Sequence, residues 1–353
     1  MTSAEPLLAA VVIARNEEPV VGRCLEAVLR AVAPHGPCDV VLVDSCSRDR
    51  TVEIARGFPV EIVELRPDAP LSAALGRLVG ERRTASRYLL FVDGDTEIAP
   101  DWLPAALAYL EAHPAVGGVA GKLREVYYRD GRPVGEVVDF FATGPEAAVV
   151  DQLGGNAVYR RRALEAAGSF NPYVVSYEEA ELAERLRRAG YAVVRLPVEL
   201  GTHHTGERGS LDELRRHVGE NLIRGYGQTL RLALGQGLFW THARRMKRNL
   251  QTIAALAAGV VAVALGLALG DPRWPLGWAL GCLAVVVAFV VRSRSVTKPL
   301  RLVTDWVVWS GPLLLGFFER PRDPRRLDLD AVVARVTHGG SGDGLRQAEG
   351  GRC

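Results

Sequence analysis

Tyr88-Leu89-Leu90-Phe91-Val92-Asp93-Gly94-Asp95 is the stretch whose reading decides the fold. Five apolar residues in a row make a strand buried on both faces, and such strands belong to parallel sheets covered by helices. The run ends in two carboxylates one residue apart. Carboxylates at the mouth of a buried strand are costly unless something positive sits there. A divalent cation is the natural occupant, and oxygen ligands suit Mg2+ or Mn2+. Taken alone, the tripeptide also reads as a plain Asp-Gly turn.

Working outward, the runs 7–14, 40–44, 60–64 and 192–196 have the same strand character. Between the first two, Val20, Val21, Cys24, Leu25, Val28, Leu29 and Val32 recur at helical spacing. Alternating strands and helices predict an α/β domain built on a mostly parallel sheet. Ligands of such sheets bind beyond the carboxyl ends of the strands. Polar residues sit at those ends: Arg15-Asn16-Glu17, Asp44-Ser45 and Asp93-Gly94-Asp95. They are expected to converge in one cleft. A phosphatase of the haloacid-dehalogenase type also starts from a strand-end Asp-x-Asp. It wants that pair near the N-terminus and a Thr or Val where this chain has Glu97.

Composition bounds the partners. The chain has 353 residues, with 43 Lys+Arg against 41 Asp+Glu, a net charge of +2. That balance argues against a dedicated nucleic-acid binder, and the 48% hydrophobic content excludes a mostly disordered chain. Cys24, Cys38, Cys46, Cys282 and Cys353 form no C-x-x-C pair, so neither a zinc framework nor a secreted disulfide scaffold is expected. No basic region followed by an apolar core and cleavage site opens the chain, so no signal peptide is expected.

The last third changes character. Positions 249–270 and 274–291 carry no charge, and each is about the 20 residues that a bilayer crossing needs. Asp271-Pro272-Arg273 leaves room only for a tight hairpin between them. Arg244, Arg245, Lys247 and Arg248 precede the first stretch; Arg292, Arg294, Lys298 and Arg301 follow the second. Cationic flanks predict both ends on the cytoplasmic side of the cell (inner) membrane. The segment 302–318 is apolar but holds Asp305 and Pro312, which fits an interfacial or re-entrant helix better than a third span. The segment 211–240 has a helical pattern rich in Arg and reads as an interfacial helix. The expected domains are therefore 1–235, a catalytic unit, and 236–320, membrane-associated helices with spans at about 250–270 and 274–291. The tail 321–353 is expected to be partly disordered, chiefly from Thr337 on.

A wider set of motifs follows in order: Val11 to Glu17; Val43-Asp44-Ser45 through Arg50-Thr51; Arg77 and Gly80; Asp93-Gly94-Asp95; Asp101-Trp102-Leu103. Gly154-Gly155-Asn156, Arg160-Arg161-Arg162, Gly168-Ser169-Phe170, Tyr177-Glu178-Glu179 and the segment 185–191 continue it. Across residues 7–235 the chain resembles the family 2 glycosyltransferases of the GT-A fold, a Rossmann-like architecture. The resemblance implies transfer of a sugar, with inversion, from a nucleoside-diphosphate sugar to a hydroxyl acceptor. With the membrane segment, it points to an acceptor that is lipid-linked or presented at the bilayer surface.

By the same resemblance, Ala14, Arg15, Glu17 and Asp44 line the nucleotide pocket, and Asp44 accepts hydrogen bonds from the base. Arg77 lies near the nucleotide, Asp93 faces ribose and metal, and Asp95 ligates Mn2+ or Mg2+. Gly94, Gly155 and Asn156 belong to the donor site, where glycine lets backbone approach the sugar. Glu178-Glu179 replaces the usual Glu-Asp. Glu179 is then the general base, one methylene longer than usual, with Glu178 the alternative. Both also suit the first turn of a helix. His203-His204 follows the last sheet strand; a histidine here completes the metal site, His204 being slightly preferred though the sequence does not separate the two. The rivals are a nucleotidyltransferase, which wants a Gly-rich, Lys-bearing loop after the first strand, and an inactive membrane adaptor of the same fold. A processive synthase would bring a Gln-x-x-Arg-Trp motif, which this chain lacks.

Overall fold

The structure, a computed structural model, describes residues 6–206 and 222–340. The chain divides into two compact units: residues 1–216 with 322–353, and residues 217–321.

The first unit is built on one mixed sheet. Its parallel half consists of β1 (Leu8–Ala14), β2 (Asp39–Asp44), β3 (Glu61–Leu65) and β4 (Tyr88–Asp93), in the order β3-β2-β1-β4. β1 is buried almost throughout, which is why its sequence runs apolar without alternating. The second half adds β5 (Thr96–Ile98), β6 (Val116–Arg129), β7 (Arg132–Val137), β8 (Ala148–Val149), β9 (Ala157–Arg160) and β10 (Ala192–Gly206). β9 is antiparallel to both β4 and β6, and β6 and β10 are parallel. β5 and β8 lie antiparallel on β10, and β7 on β6.

Register sets the site. Ala14 is opposite Asp44 and Ile13 is opposite Asp93, so the carboxylates of β2 and β4 flank the end of β1. Helix α1 (Val21–Val32) buries Val21, Cys24, Leu25, Val28 and Val32 at spacings of three and four. α2 (Thr51–Ala55) follows β2, and α3 (Ala73–Arg83) is capped by Ser72, whose Oγ accepts from the Leu75 amide at 3.0 Å. α4 (Trp102–Ala112), α5 (Arg161–Ala167) and α6 (Glu178–Arg188) complete the layers.

The stretch from Thr337, expected to be unstructured, departs from that expectation. Thr337 and His338 end a strand, β11 (Val333–His338), which pairs antiparallel with β3. The edge of β3 offers unpaired backbone groups, and Val333 and Val336 pack on the core. Residues 341–353 lie outside the described residues, as does the 211–221 part of the expected interfacial helix.

The second unit is helical: α7 (Leu222–Gln236), α8 (Phe239–Arg245), α9 (Lys247–Leu269), α10 (Arg273–Ser293) and α11 (Thr297–Phe318). α7 packs on α11 with backbone touching backbone. A Cβ on Gly227 would strike the Leu313 carbonyl and lie 2.6 Å from the Phe317 amide nitrogen. α9 and α10 form the expected hairpin, with mean hydropathy 2.4 and 2.2, and are the two helices among the described residues long and apolar enough to cross a membrane. Trp278 of α10 lies against Gly259 of α9, its indole N–H donating to the Ala255 carbonyl at 2.9 Å.

Candidate active site

At the carboxyl edge of the parallel strands, Arg77 sits at the centre of a charge cluster. Gly76 and Gly80 bring α3 close against Ile13 and Val11, which drives Arg77 beneath the strand ends. Arg77 is 2% exposed. Its Nη2 donates to Asp93 Oδ1 at 2.8 Å, and its Nη1 donates to Glu178 Oε1 at 2.6 Å and lies 3.7 Å from Glu179 Oε1. Burial alone would favour the neutral guanidine, but Asp93, Glu178 and Glu179 outweigh it and hold Arg77 charged. The sequence suggests Arg77 near a nucleotide; the structure puts it under the rim, binding three carboxylates together.

Glu178 and Glu179 open α6, after Tyr177 at a φ of +64°. Asn16 and Cys46, at the ends of β1 and β2, have φ of 58° and 63°. Left-handed backbone at a non-glycine residue is strained, and here three such residues border one rim. Glu178 is buried; the Glu179 side chain is 20% exposed. Burial first, then the adjacent Glu178 carboxylate, outweigh Arg77 and raise Glu179 well above the usual carboxylate range. That is the environment of a proton acceptor poised near neutrality. Glu181 is a structural residue instead: it forks onto Arg185 at 2.6 and 2.8 Å, one helical turn on.

Asp93 is fixed from a second direction. Its amide donates to Asn156 Oδ1 at 2.8 Å, and Asn156 Nδ2 lies 3.5 Å from Asp93 Oδ2. Gly155 packs against the same carboxylate: an added Cβ would overlap Asp93 Oδ2 and lie 2.7 Å from Arg77 Nη2. Gly94 turns the chain so that its amide donates to the Ile13 carbonyl at 2.8 Å.

Asp95 points to a histidine. Neighbouring strand residues face opposite sides, so only one of His203 and His204 meets it, and it is His203. His203 Nε2 is 3.0 Å from Asp95 Oδ2, and its Nδ1 is 3.4 Å from Glu125 Oε1. His204 turns away; its Nε2 lies 2.8 Å from Glu97, and its Nδ1 3.1 Å from the Tyr128 hydroxyl. Geometry thus favours His203 where the motif alone leaned to His204. Burial would depress the His203 imidazole, but its bonds to Asp95 and Glu125 outweigh burial and raise it to about 10. A cation bound beside Asp95 would compete with that proton.

The donors fit a hard divalent cation in kind. Asp95 Oδ1 is buried and has no hydrogen-bond partner. Among the described residues, no three His, Cys, Asp or Glu side chains close a cage. Mg2+-type sites commonly take one or two protein ligands and complete the shell with substrate phosphates and water.

At the other end of the rim, Asp44 is buried, and burial raises it despite hydrogen bonds from Ser47. Its Oδ2 accepts from the Ser47 amide at 3.0 Å, while Oδ1 is buried without a partner. An orphaned acceptor there suits an N–H donor such as a nucleobase edge. Ala14 is buried opposite Asp44, Arg15 is exposed, and the Glu17 amide donates to Thr51 Oγ1 at 2.7 Å.

Three supporting residues are not evident from the sequence motifs. Glu125, on β6, is buried and accepts from the Tyr127 hydroxyl at 2.6 Å while facing His203. Glu97 holds both His204 and, at 3.0 Å, Arg23. Arg195 lies 3.5 Å over the Phe141 ring and donates to the carbonyls of Gln152 and Leu153, both at 3.1 Å, fixing the approach to Gly154-Gly155. Arg195 does leave a signal: it is the lone cation in the apolar run Ala192-Val193-Val194-Arg195-Leu196.

A mixed sheet in this strand order, with an acidic rim at the carboxyl ends of its parallel half, is the GT-A fold. Residues 9–168 match the family model described as glycosyl transferase family 2. The chain is 26% identical over 231 residues to the glycosyltransferase AglE of Haloferax volcanii, covering 64% of this chain and 75% of that protein. The mannosyltransferase PcManGT from Pyrobaculum calidifontis, solved with GDP-Man and Mn2+, shares the fold at a TM-score of 0.56 and 20% identity. That likeness covers 89% of this chain and 86% of the other. S. aureus TarS 1–349, solved with UDP-GlcNAc, superposes with a TM-score of 0.50 and 17% identity, covering 89% and 93%.

Proposed function

We propose that this chain transfers a sugar, with inversion, from a nucleoside-diphosphate sugar to a hydroxyl of a lipid-linked or otherwise membrane-presented acceptor. The observation that carries the reading is the Asp93–Arg77–Glu178/Glu179 cluster beside Asp95, whose Oδ1 is buried without a partner. Asp44 accepts from the nucleobase, with Ala14, Arg15 and Glu17 bordering the same pocket. Asp93 is held by Arg77 and Asn156 against the donor's ribose, and Gly155 keeps that approach open. Glu179 receives the acceptor proton as its oxygen attacks the anomeric carbon, and its raised proton affinity suits that task at neutral pH. Arg77 keeps the carboxylates in place without touching substrate.

Asp95 and His203 would hold Mn2+ or Mg2+ together with the donor's phosphates, and the ion would stabilise charge developing on the departing diphosphate as a Lewis acid. PcManGT, solved with GDP-Man and Mn2+, supports that assignment. Two apolar helices and the cationic flanks support anchoring in a cell membrane by the α9–α10 hairpin, with the catalytic unit in the cytoplasm.

Glu179→Gln tests the base. The variant should bind donor as the parent does and lose transfer by about 10²-fold or more, the usual contribution of a positioned base. Measuring donor affinity and single-turnover transfer separately decides the matter: transfer at the parent rate would move the role to Glu178.

A further inference from the structure

We propose that the helical unit crosses the bilayer twice, by α9 and α10 alone. α11 then lies in the plane of the membrane surface on the side of the catalytic sheet, with an apolar stripe pressed into anionic lipid. The argument begins with a backbone ladder. β11 pairs with β3 from Val333 opposite Leu65 to His338 opposite Glu61. The Arg66 amide donates to the Val332 carbonyl at 2.9 Å, and the Gly339 amide to the Val60 carbonyl at 2.9 Å. The chain therefore leaves the catalytic unit after β10 and rejoins the same sheet at β11. A single sheet lies on one side of a membrane, so the segment between must cross an even number of times.

Three helices compete for those crossings. At 1.5 Å per residue, α9, α10 and α11, with 23, 21 and 22 residues, each reach about 30 Å or more, so length does not choose among them. α7, with 15 residues, reaches only about 22 Å and α8 is shorter still, so neither supplies a fourth crossing. The sequence 207–221 holds Glu207, Arg208, Asp212, Glu213, Arg215, Arg216 and Glu220, too many charges for a span. An even number lets at most two of the three long helices cross; α9 and α10 are the two apolar enough to do so, and α11 is the one left out. It alone carries an acidic residue, Asp305, 3.9 Å from Arg301 one turn earlier, and it is not among the helices apolar enough to span.

The shape of α11 fits the surface. One side is closed by α7: a Cβ on Gly316 would overlap the Arg224 carbonyl and lie 2.9 Å from its carbon. Arg224 and Gln228 also donate to Glu319 at 2.9 and 3.0 Å. On another side Leu300, Val307, Leu314, Leu315 and Phe318 are exposed at spacings of three, four and seven residues, Phe318 by 76%. That is a continuous stripe along the helix. Exposed Arg292 and Arg294 precede it, and Arg320, Arg322, Arg325 and Arg326 follow it. Apolar stripe and flanking cations together are the chemistry of a helix lying on an anionic leaflet. Even crossing also puts the cations before α9 and after α10 on one side, leaving only Asp271 and Arg273 at the far turn. This agreement is independent of the ladder, and neither rests on the donor or on the residues of the active site.

The test uses the full chain in sealed phosphatidylcholine–phosphatidylglycerol vesicles. A specific protease site is inserted after Pro321 or within 271–273. Protease added on the side of the catalytic unit should remove all uncut chain for the first insertion and none for the second until detergent is added. A protected site after Pro321 overturns the even crossing. A fluorescent amino acid encoded at Leu300, Val307, Leu314 or Phe318, read against lipids brominated at set depths, reports the plane of α11. All four should be quenched most strongly by bromine near the headgroups. Quenching of position 307 mainly by bromine at the chain ends means a spanning helix and refutes the proposal. So does no quenching at any position, which means that a protein covers the stripe instead.

Discussion

Replacing Arg77 by Met removes the one cation that three carboxylates share. Glu178 bears most of the consequence. Its side chain is 5% exposed and 2.6 Å from the guanidinium, whereas Asp93 and Glu179 retain 29% and 20% exposure and some access to water. Deleting one partner of a buried ion pair costs about 3–5 kcal/mol, because the other charge stays behind unpaired. Counting Glu178 alone, and treating the half-solvated pair as screened, the loss is about 3–5 kcal/mol out of a total of roughly 5–15 kcal/mol. For a domain of this size each kcal/mol moves the midpoint by roughly 2–4 °C, so thermal unfolding of the detergent-solubilised chain should begin about 6–20 °C lower. The sign with pH follows from the same charges. Without Arg77 the folded-state pKa of Glu179, already raised by burial and by the Glu178 carboxylate, stands still further above its unfolded value. The penalty is therefore relieved by protonation at low pH and grows as pH rises through those values. The gap between parent and variant should be smaller at pH 5 than at pH 8. The double variant Arg77→Met/Glu178→Leu should recover much of the loss, since an apolar pair leaves no charge stranded. A midpoint unchanged at both pH values would refute the view that Arg77 is the electrostatic centre of the rim.

Gly155→Ala should cost about 10²-fold in kcat/KM, the order expected when a reacting geometry shifts by about 1 Å. The new methyl must push Asp93 aside, whereas Gly144→Ala, with open space around it, should change nothing; equal kinetics for the two variants would contradict the packing. The rate of transfer should rise with pH along a limb above the ordinary carboxylate range, because burial and Glu178 favour protonated Glu179. Glu178→Gln should move that limb to lower pH, and a limb that stays put would show that Glu178 does not set it.

The parallel half of the sheet is legible because its strands are buried on both faces and read as unbroken apolar runs. The mixed half is not. β6 has Gly117-Gly118 directly after its first residue and is broken by Lys122 and the adjacent Arg124-Glu125, and β9 is only four residues long. β11 hides in a segment whose composition suggests disorder; only the open edge of β3 gives it a partner. Asp44, Asp93 and Asp95 can be named because a carboxylate at a buried strand end needs an explanation in any fold, whereas Glu179, in the first turn of α6, is named only through the family resemblance. Pairings cannot be read in the same way. That Arg77 lies between Asp93 and Glu178, 16 and 101 positions away, depends on how α3 and α6 meet at the rim. The choice between His203 and His204 depends on the phase of β10, which the register shifts in its pairing with β6 leave undetermined by counting.

The central claim is that Asp95 and its neighbours gather a divalent cation and a nucleoside diphosphate at one rim. Calorimetric titration of the full chain with nucleoside diphosphates, with and without Mn2+, tests it directly in parent and Asp95→Ala protein. Binding should tighten at least about tenfold with Mn2+ in the parent, and Asp95→Ala should abolish that gain while the protein unfolds at the parent temperature. A nucleoside diphosphate that binds equally well with and without the ion in both proteins would contradict the account.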